Sequence, residues 1–258
     1  MVADKRILEP YEPLAYCSGK NVETLTEHIS TMLSIYDIYF SRWNWEQISS
    51  SRINISANII DKAVKCTVIL HDIGKLFYQD RIKTGRSTTL HEYYSLLITE
   101  KIGDQLVKHL EDTRKVLDSL EWALLIHHMS LRDPLKISGN ITNIAEYWKV
   151  PLTVKITTEI SEWISRIFKH YLGFEVKLQV GSVLSLREIN KIIRRLLANF
   201  WDLYPLTLRL IRILIITDNY AAALNRGGTP AKKVFLRDLP NAKDLVEAKR
   251  RLREWLQD

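Results

Sequence analysis

Leu25, Ile29, Met32, Leu33 and Tyr36 recur at three- and four-residue spacing, and that period predicts an amphipathic helix over residues 22–40. The apolar content of 57–75 predicts a second, deeply buried helix. Further helices are predicted from residue 90 onward, over 114–129 (stopping before Asp133-Pro134) and over 152–171. Phe174 to Val180 alternates apolar and polar positions between Gly173 and Gly181, and reads as a short strand. Ser185 with Glu188 three residues on is a capping box for another helix. A long apolar helix is predicted over 205–224, ended by Asn225-Arg226-Gly227-Gly228-Thr229-Pro230. Residues 242–256 form a charged amphipathic segment. With no internal repeat and no linker-like tract, the expectation is one all-α domain over 1–258. It is a helical bundle with at most one short strand or hairpin near 174–181.

Composition narrows the function classes. The 258 residues are 46% hydrophobic and 26% charged, enough apolar material for a large core. The net charge of +7 and the pI near 9.3 favour a polyanionic partner, nucleic acid or an anionic surface. The most apolar run, Leu208 to Ile216, holds Arg209 and Arg212 and is too short to span a bilayer. The N-terminus is charged with no apolar stretch behind it, so no signal peptide is expected. Cys17 and Cys66 make no Cys-x-x-Cys pattern, and the cytoplasm is the expected compartment.

The chemistry-bearing stretch is His71-Asp72-Ile73-Gly74-Lys75, which follows the apolar run Thr67 to Leu70. A neutral imidazole beside a carboxylate that can bridge two cations suits a metal site. Five more residues of ligand type accompany it: His28, His91, His127, His128 and Asp218. His28 lies within the first predicted helix, and His91 opens His91-Glu92-Tyr93-Tyr94-Ser95 after a polar loop. His127 and His128 close an apolar run. Adjacent residues of a regular helix point about a quarter-turn apart, so both reach one site only if the helix ends there. The competing reading is one buried and one exposed histidine. Asp218 follows Ile215-Ile216-Thr217, where an ionised carboxylate needs a partner. His109 and His170 stand beside lysines and read as surface or core-edge residues.

This order (a histidine in an early helix, His-Asp-x-Gly-Lys, His-Glu-x-x-Ser, His-His, a late Asp before small residues) resembles the HD nuclease of CRISPR systems over His28 to Asp218. No Walker A motif is present, so the chain resembles the stand-alone form, which works beside a separate helicase chain. Met129 departs from the glycine common after the paired histidines. The resemblance implies an HD-domain helical bundle with a two-metal site. Asp72 would bridge, with His28, His71 and Asp218 on one metal and His91, His127 and His128 on the other. Lys75 would neutralise a substrate phosphate. The implied activity is degradation of DNA, single-stranded above all, in antiviral defence. The implied partners are a CRISPR helicase subunit and an RNA-guided surveillance complex.

Two cations about 3.5–4 Å apart can bind a phosphate oxygen, activate water and stabilise the leaving alkoxide, the services phosphodiester hydrolysis needs. A nitrogen-rich ligand set favours Mn, Ni, Co or Fe over Mg. Lys83 and Arg86, in the loop between Asp72 and His91, are candidates for holding backbone phosphates; so are Arg187, Lys191, Arg194 and Arg195 along one helix. Solvated basic surfaces are the competing reading for both groups. Basic residues of 243–253 are interspersed with acids and suit a solvated helix or a subunit contact. RNA or duplex substrates, and exonuclease or endonuclease mode, stay open. The alternative function is an HD-type phosphohydrolase of small nucleotides, and a non-catalytic scaffold is the third.

Overall fold

Helices and two small antiparallel hairpins enclose one contiguous hydrophobic cluster. The computed structural model describes residues 11–19, 21–41, 54–111, 114–127 and 139–226. In chain order the elements are β1 (Leu14–Ser18), β2 (Asn21–Thr24), α1 (Leu25–Tyr39), α2 (Ala57–Leu70), a 3-10 helix (Ile73–Tyr78), α3 (Gln79–Lys83), α4 (His91–His109) and α5 (Arg114–Ile126). There follow α6 (Ile141–Tyr147), β3 (Thr153–Lys155), α7 (Thr158–Leu172), β4 (Val183–Ser185), a 3-10 turn (Leu186–Glu188), α8 (Ile189–Ala198) and α9 (Phe200–Arg226). The all-α expectation holds. No helix among the described residues is long and apolar enough to cross a membrane.

Several boundaries differ from the sequence reading, each for a local reason. Helix α1 begins at Leu25 because Thr24 caps it. The Thr24 hydroxyl accepts from Glu27 N (3.1 Å) and the Glu27 carboxylate accepts from Thr24 N (2.9 Å), so Val22 belongs to β2. The helix predicted over 57–75 stops at Leu70. The His71 carbonyl, which would accept from Lys75 in an α-helix, accepts instead from the Ser95 hydroxyl (2.9 Å), and Lys75 N turns to Asp72 O (2.9 Å). A tertiary hydrogen bond thus converts the helix to a 3-10 turn, with His71 and Asp72 at the junction.

The strand predicted over 174–180 is not one. Its alternation does bury Val176 and Leu178, but no strand among the described residues lies beside it. The Gln105 side chain takes the place of a partner strand: Lys177 N donates to Oε1 (2.8 Å) and Nε2 donates to Lys177 O (2.9 Å). The hairpin near this region pairs β3 with β4, so 153–155 is strand rather than the start of α7. Thr157 then caps α7, accepting from Ile160 N (3.3 Å). Ser185 caps a 3-10 turn through Arg187 N rather than forming a capping box with Glu188. Helix α9 starts a turn early, at Phe200, which leaves Pro205 inside it. The predicted helix over 242–256 and its basic residues lie outside the described residues.

Candidate metal centre

The site forms where α1, the α2 end, the start of α4, the end of α5 and the middle of α9 meet. Helix α1 packs along α9, and α5 packs against α4 and α9. Those packings carry His28, His91, His127 and Asp218 toward the His71-Asp72 junction. Two clusters result, each with ligand atoms within 4.8 Å of one another: His28, His71 and Asp218, and Asp72, His91 and His127. The described residues therefore include His/Asp groups close enough to bind a metal ion. Asp72 faces both clusters. Its Oδ2 lies 3.3 Å from His71 Nε2 and 3.8 Å from His28 Nε2, and its Oδ1 lies 2.9 Å from His91 Nε2.

The histidines are oriented from behind. Nδ1 of His71 meets Val68 O at 2.7 Å, Nδ1 of His91 meets Thr88 O at 2.8 Å, and Nδ1 of His127 meets Leu124 O at 2.5 Å. A carbonyl can only accept, so each Nδ1 carries the proton and each Nε2 is turned toward the site. His28 Nδ1 is held by the Glu23 carboxylate at 2.8 Å. The buried Nε2 atoms of His28 and His71 have no hydrogen-bond partner; His28 Nε2 stands 3.2 Å from Asp218 Oδ1 without hydrogen-bond alignment. Buried imidazole nitrogens left in this way fit a cation's requirements.

Electrostatics follows the same design. Burial opposes charge on Asp72, yet the Lys75 ammonium (2.5 Å from Oδ2) and then His71 hold its carboxyl well below the usual range. Burial also opposes charge on Asp218, and the close approach and charge of His28, 3.2 Å away, depress its pKa. For His28, burial lowers the pKa, but Asp218 and Glu23 override it and raise the pKa to about 9. A raised pKa favours a proton on His28, which a bound cation would have to displace. Binding of Mn²⁺ is expected to release protons at pH 7.5 and to weaken as pH falls. Titration in a weakly buffered indicator solution reads this directly; uptake with no proton release would remove His28 from the ligand set.

An open groove of about 530 Å³ leads to the clusters, lined by Asp72, Lys75, His91 and Asp218 at its base and by Tyr16, Arg86 and Arg226 among its walls. Lys83, exposed at the end of α3 and three residues before Arg86, does not itself line the groove. None of Arg187, Lys191, Arg194 and Arg195 lines this groove. Arg187 borders a separate polar cavity of about 200 Å³, with Asn140, Asn143 and Asn190. Arg195 departs furthest from the expected phosphate stripe. Its guanidinium turns inward to Glu100 (3.0 Å) and to the fully buried Glu121, with Asp118 at 3.8 Å. Removing it leaves Arg114 to neutralise three carboxylates. Arg195→Met is expected to cost about 2–3 kcal/mol in urea denaturation, and the additional change Glu121→Leu to recover most of it. An unchanged midpoint in the single variant would contradict this.

His109 stacks on Phe174 (ring centroids 3.7 Å apart) and His170 is exposed against Tyr171, and neither joins a cluster. His127 sits just past the last residue of α5, which ends at Ile126 rather than at the expected Met129; His128 lies outside the described residues. One residue that matters escaped the sequence reading. Glu23 is buried and holds His28, and its partners are spread across more than two hundred residues: Asn225 Nδ2 (2.6 Å) and Arg226 Nε (2.7 Å). Burial would raise its pKa, but the hydrogen bond from His28 and the charges of His28 and Arg226 lower it. The capping box Thr24-x-x-Glu27 placed a helix start beside Glu23, which is the signal that was there to find. No protein-family model matches the chain, and no curated protein matches it significantly.

Proposed function

We propose that this protein is a metal-dependent nuclease of the HD type, acting on DNA in CRISPR antiviral defence beside a separate helicase subunit. One observation carries the reading: six His and Asp side chains scattered from His28 to Asp218 converge so that one oxygen of Asp72 faces each of two His/Asp clusters at the foot of a basic groove. In this reading His28, His71 and Asp218 would hold one divalent ion and His91, His127 and His128 the other, with Asp72 a candidate ligand to both. Bound ions would activate water and offset charge on the phosphodiester oxygens. The chain's own part is to fix the imidazoles through Val68, Thr88, Leu124 and Glu23, and to hold the substrate strand by Arg86 and Lys83. Lys75 balances Asp72 and lies at the groove floor, within reach of a phosphate. Mn, Ni, Co or Fe suit the nitrogen-rich donor set better than Mg.

A groove of this size also suits a single nucleotide, which favours the second reading, a phosphohydrolase of small nucleotides. The deciding experiment measures bound metal in the purified protein, then compares cleavage of labelled single-stranded DNA, duplex DNA and RNA with phosphate release from nucleotides across Mn, Ni, Co, Fe and Mg. Metal-dependent strand cleavage, strongest with a transition metal, is expected. Turnover of nucleotides alone would replace the nuclease reading with the second one. No bound metal and no hydrolysis would leave a scaffold.

A further inference from the structure

We propose that Arg226 is a phosphate-binding residue of the groove, gripping a backbone phosphate of a polynucleotide next to the one being cleaved. This rests on the nuclease reading of the same groove. Arg226 is the last residue of α9 and lines the groove with Asp72, Lys75, His91 and Asp218. Its guanidinium is fixed on two sides. Nε donates to Glu23 Oε2 (2.7 Å), and the guanidinium carbon lies 4.3 Å over the Tyr16 ring. No hydrogen bond engages its two terminal nitrogens among the described residues, and the side chain keeps 27% of its surface exposed. An arginine held by Nε and by one face presents the remaining edge, the fork that matches two phosphate oxygens.

A plain structural role, satisfying buried Glu23, does not require an arginine. Asn225 already donates to Glu23 Oε1, and His28 donates as well. What the guanidinium adds is a charge at the groove wall with its orientation set in advance. Through Glu23 that charge is one carboxylate away from His28 of the first cluster, so the gripped phosphate lies beside the cleavage point rather than on it. Tyr16 and Cys17 of β1 also line the groove, and the backbone oxygen of Cys17 approaches Gly85, next to Arg86. The rim of the groove is therefore continuous from Arg86 along β1 to Arg226, a basic track for one strand.

The test measures binding of a fluorescent single-stranded DNA 20-mer by anisotropy, with Ca²⁺ in place of a transition metal, over a range of salt concentrations. Arg226→Ala and Arg226→Gln are expected to weaken binding about 10-fold or more and to reduce the salt dependence by about 0.7 in log–log slope, the loss of one phosphate contact. Arg226→Lys should keep the slope yet bind more weakly than wild type. The Gln variant can still donate to Glu23, so it keeps the fold if the Ala variant does not. Metal content should match wild type in all three. Unchanged affinity and slope would overturn the assignment, as would loss of metal with an unchanged slope, which marks Arg226 as a mere prop for Glu23. If wild type binds the 20-mer but cleaves no phosphodiester with any metal, the nuclease reading fails on its own, and the slopes still decide Arg226.

Discussion

If the protein is the proposed nuclease, Asp72→Ala is expected to reduce metal-dependent strand cleavage by roughly 10³-fold or more, the scale seen when one member of a jointly acting catalytic unit is removed. The geometry gives two reasons for so large a loss. Asp72 is the described carboxylate that approaches histidines of both clusters, through a different oxygen for each. Its removal therefore damages both sites together. It also balances Lys75, whose side chain is only 12% exposed. Without the carboxylate, a largely buried ammonium remains at the groove floor beside His71 and His91 and repels any cation that approaches. Bound metal is thus expected to fall along with activity, a result that separates Asp72 from a group serving substrate alone. Asp72→Asn keeps the shape while removing the charge, and should lose nearly as much. If either variant folds, retains its metal and cleaves at the wild-type rate, hydrolysis occurs elsewhere.

The sequence revealed the candidate ligands better than the means by which they are held. His71, Asp72, His127 and Asp218 could be singled out because ligand-type residues at the ends of apolar runs need partners, and His28 and His91 by the order of motifs that the chain shares with HD nucleases; all six meet. The helices of α1, α4 and α9 were legible for a related reason: a buried face imposes its period on the chain. Bonds made across long separations left no local trace. The break at Leu70 depends on Ser95, the irregular segment at 174–180 on Gln105, and the support of His28 on a glutamate tied to the end of α9. The β1–β2 hairpin was missed because its strands are short and only one turn residue, Gly19 at φ +58, marks the reversal. Arg195 was misplaced since the pattern of α8 shows that a charge recurs, not that buried Glu121 waits on the facing helix.

Gly74→Ala is expected to destabilise the protein by about 3 kcal/mol and to lower metal affinity at least 10-fold, although Gly74 carries no ligand. A Cβ built on Gly74 lies 2.0 Å from the His91 carbonyl oxygen and 2.8 Å from Ser95 N. Both are backbone atoms in the first turn of α4, so no side-chain rotation relieves the clash. The 3-10 turn must move away from α4, and that movement breaks a paired contact. Gly74 N donates to the Ser95 hydroxyl (2.9 Å), which in turn donates to His71 O (2.9 Å). Those bonds hold the His71-Asp72 junction against the helix that carries His91, so separating them separates Asp72 Oδ1 from His91 Nε2. A displacement of about 1 Å in such a site is costly out of proportion to its size. Gly103, also on α4, supplies the control. There the added Cβ meets the Leu117 side chain at 3.2 Å and an Arg114 side-chain nitrogen at 3.4 Å, groups able to yield. Alanine also favours a helix by up to about 1 kcal/mol over glycine, so Gly103→Ala should stay within about 1 kcal/mol of wild type. Urea denaturation and metal titration of the two variants make the comparison. Equal stability and equal metal uptake in Gly74→Ala would mean that the close approach of the 3-10 turn to α4 does not set the distance between Asp72 and His91.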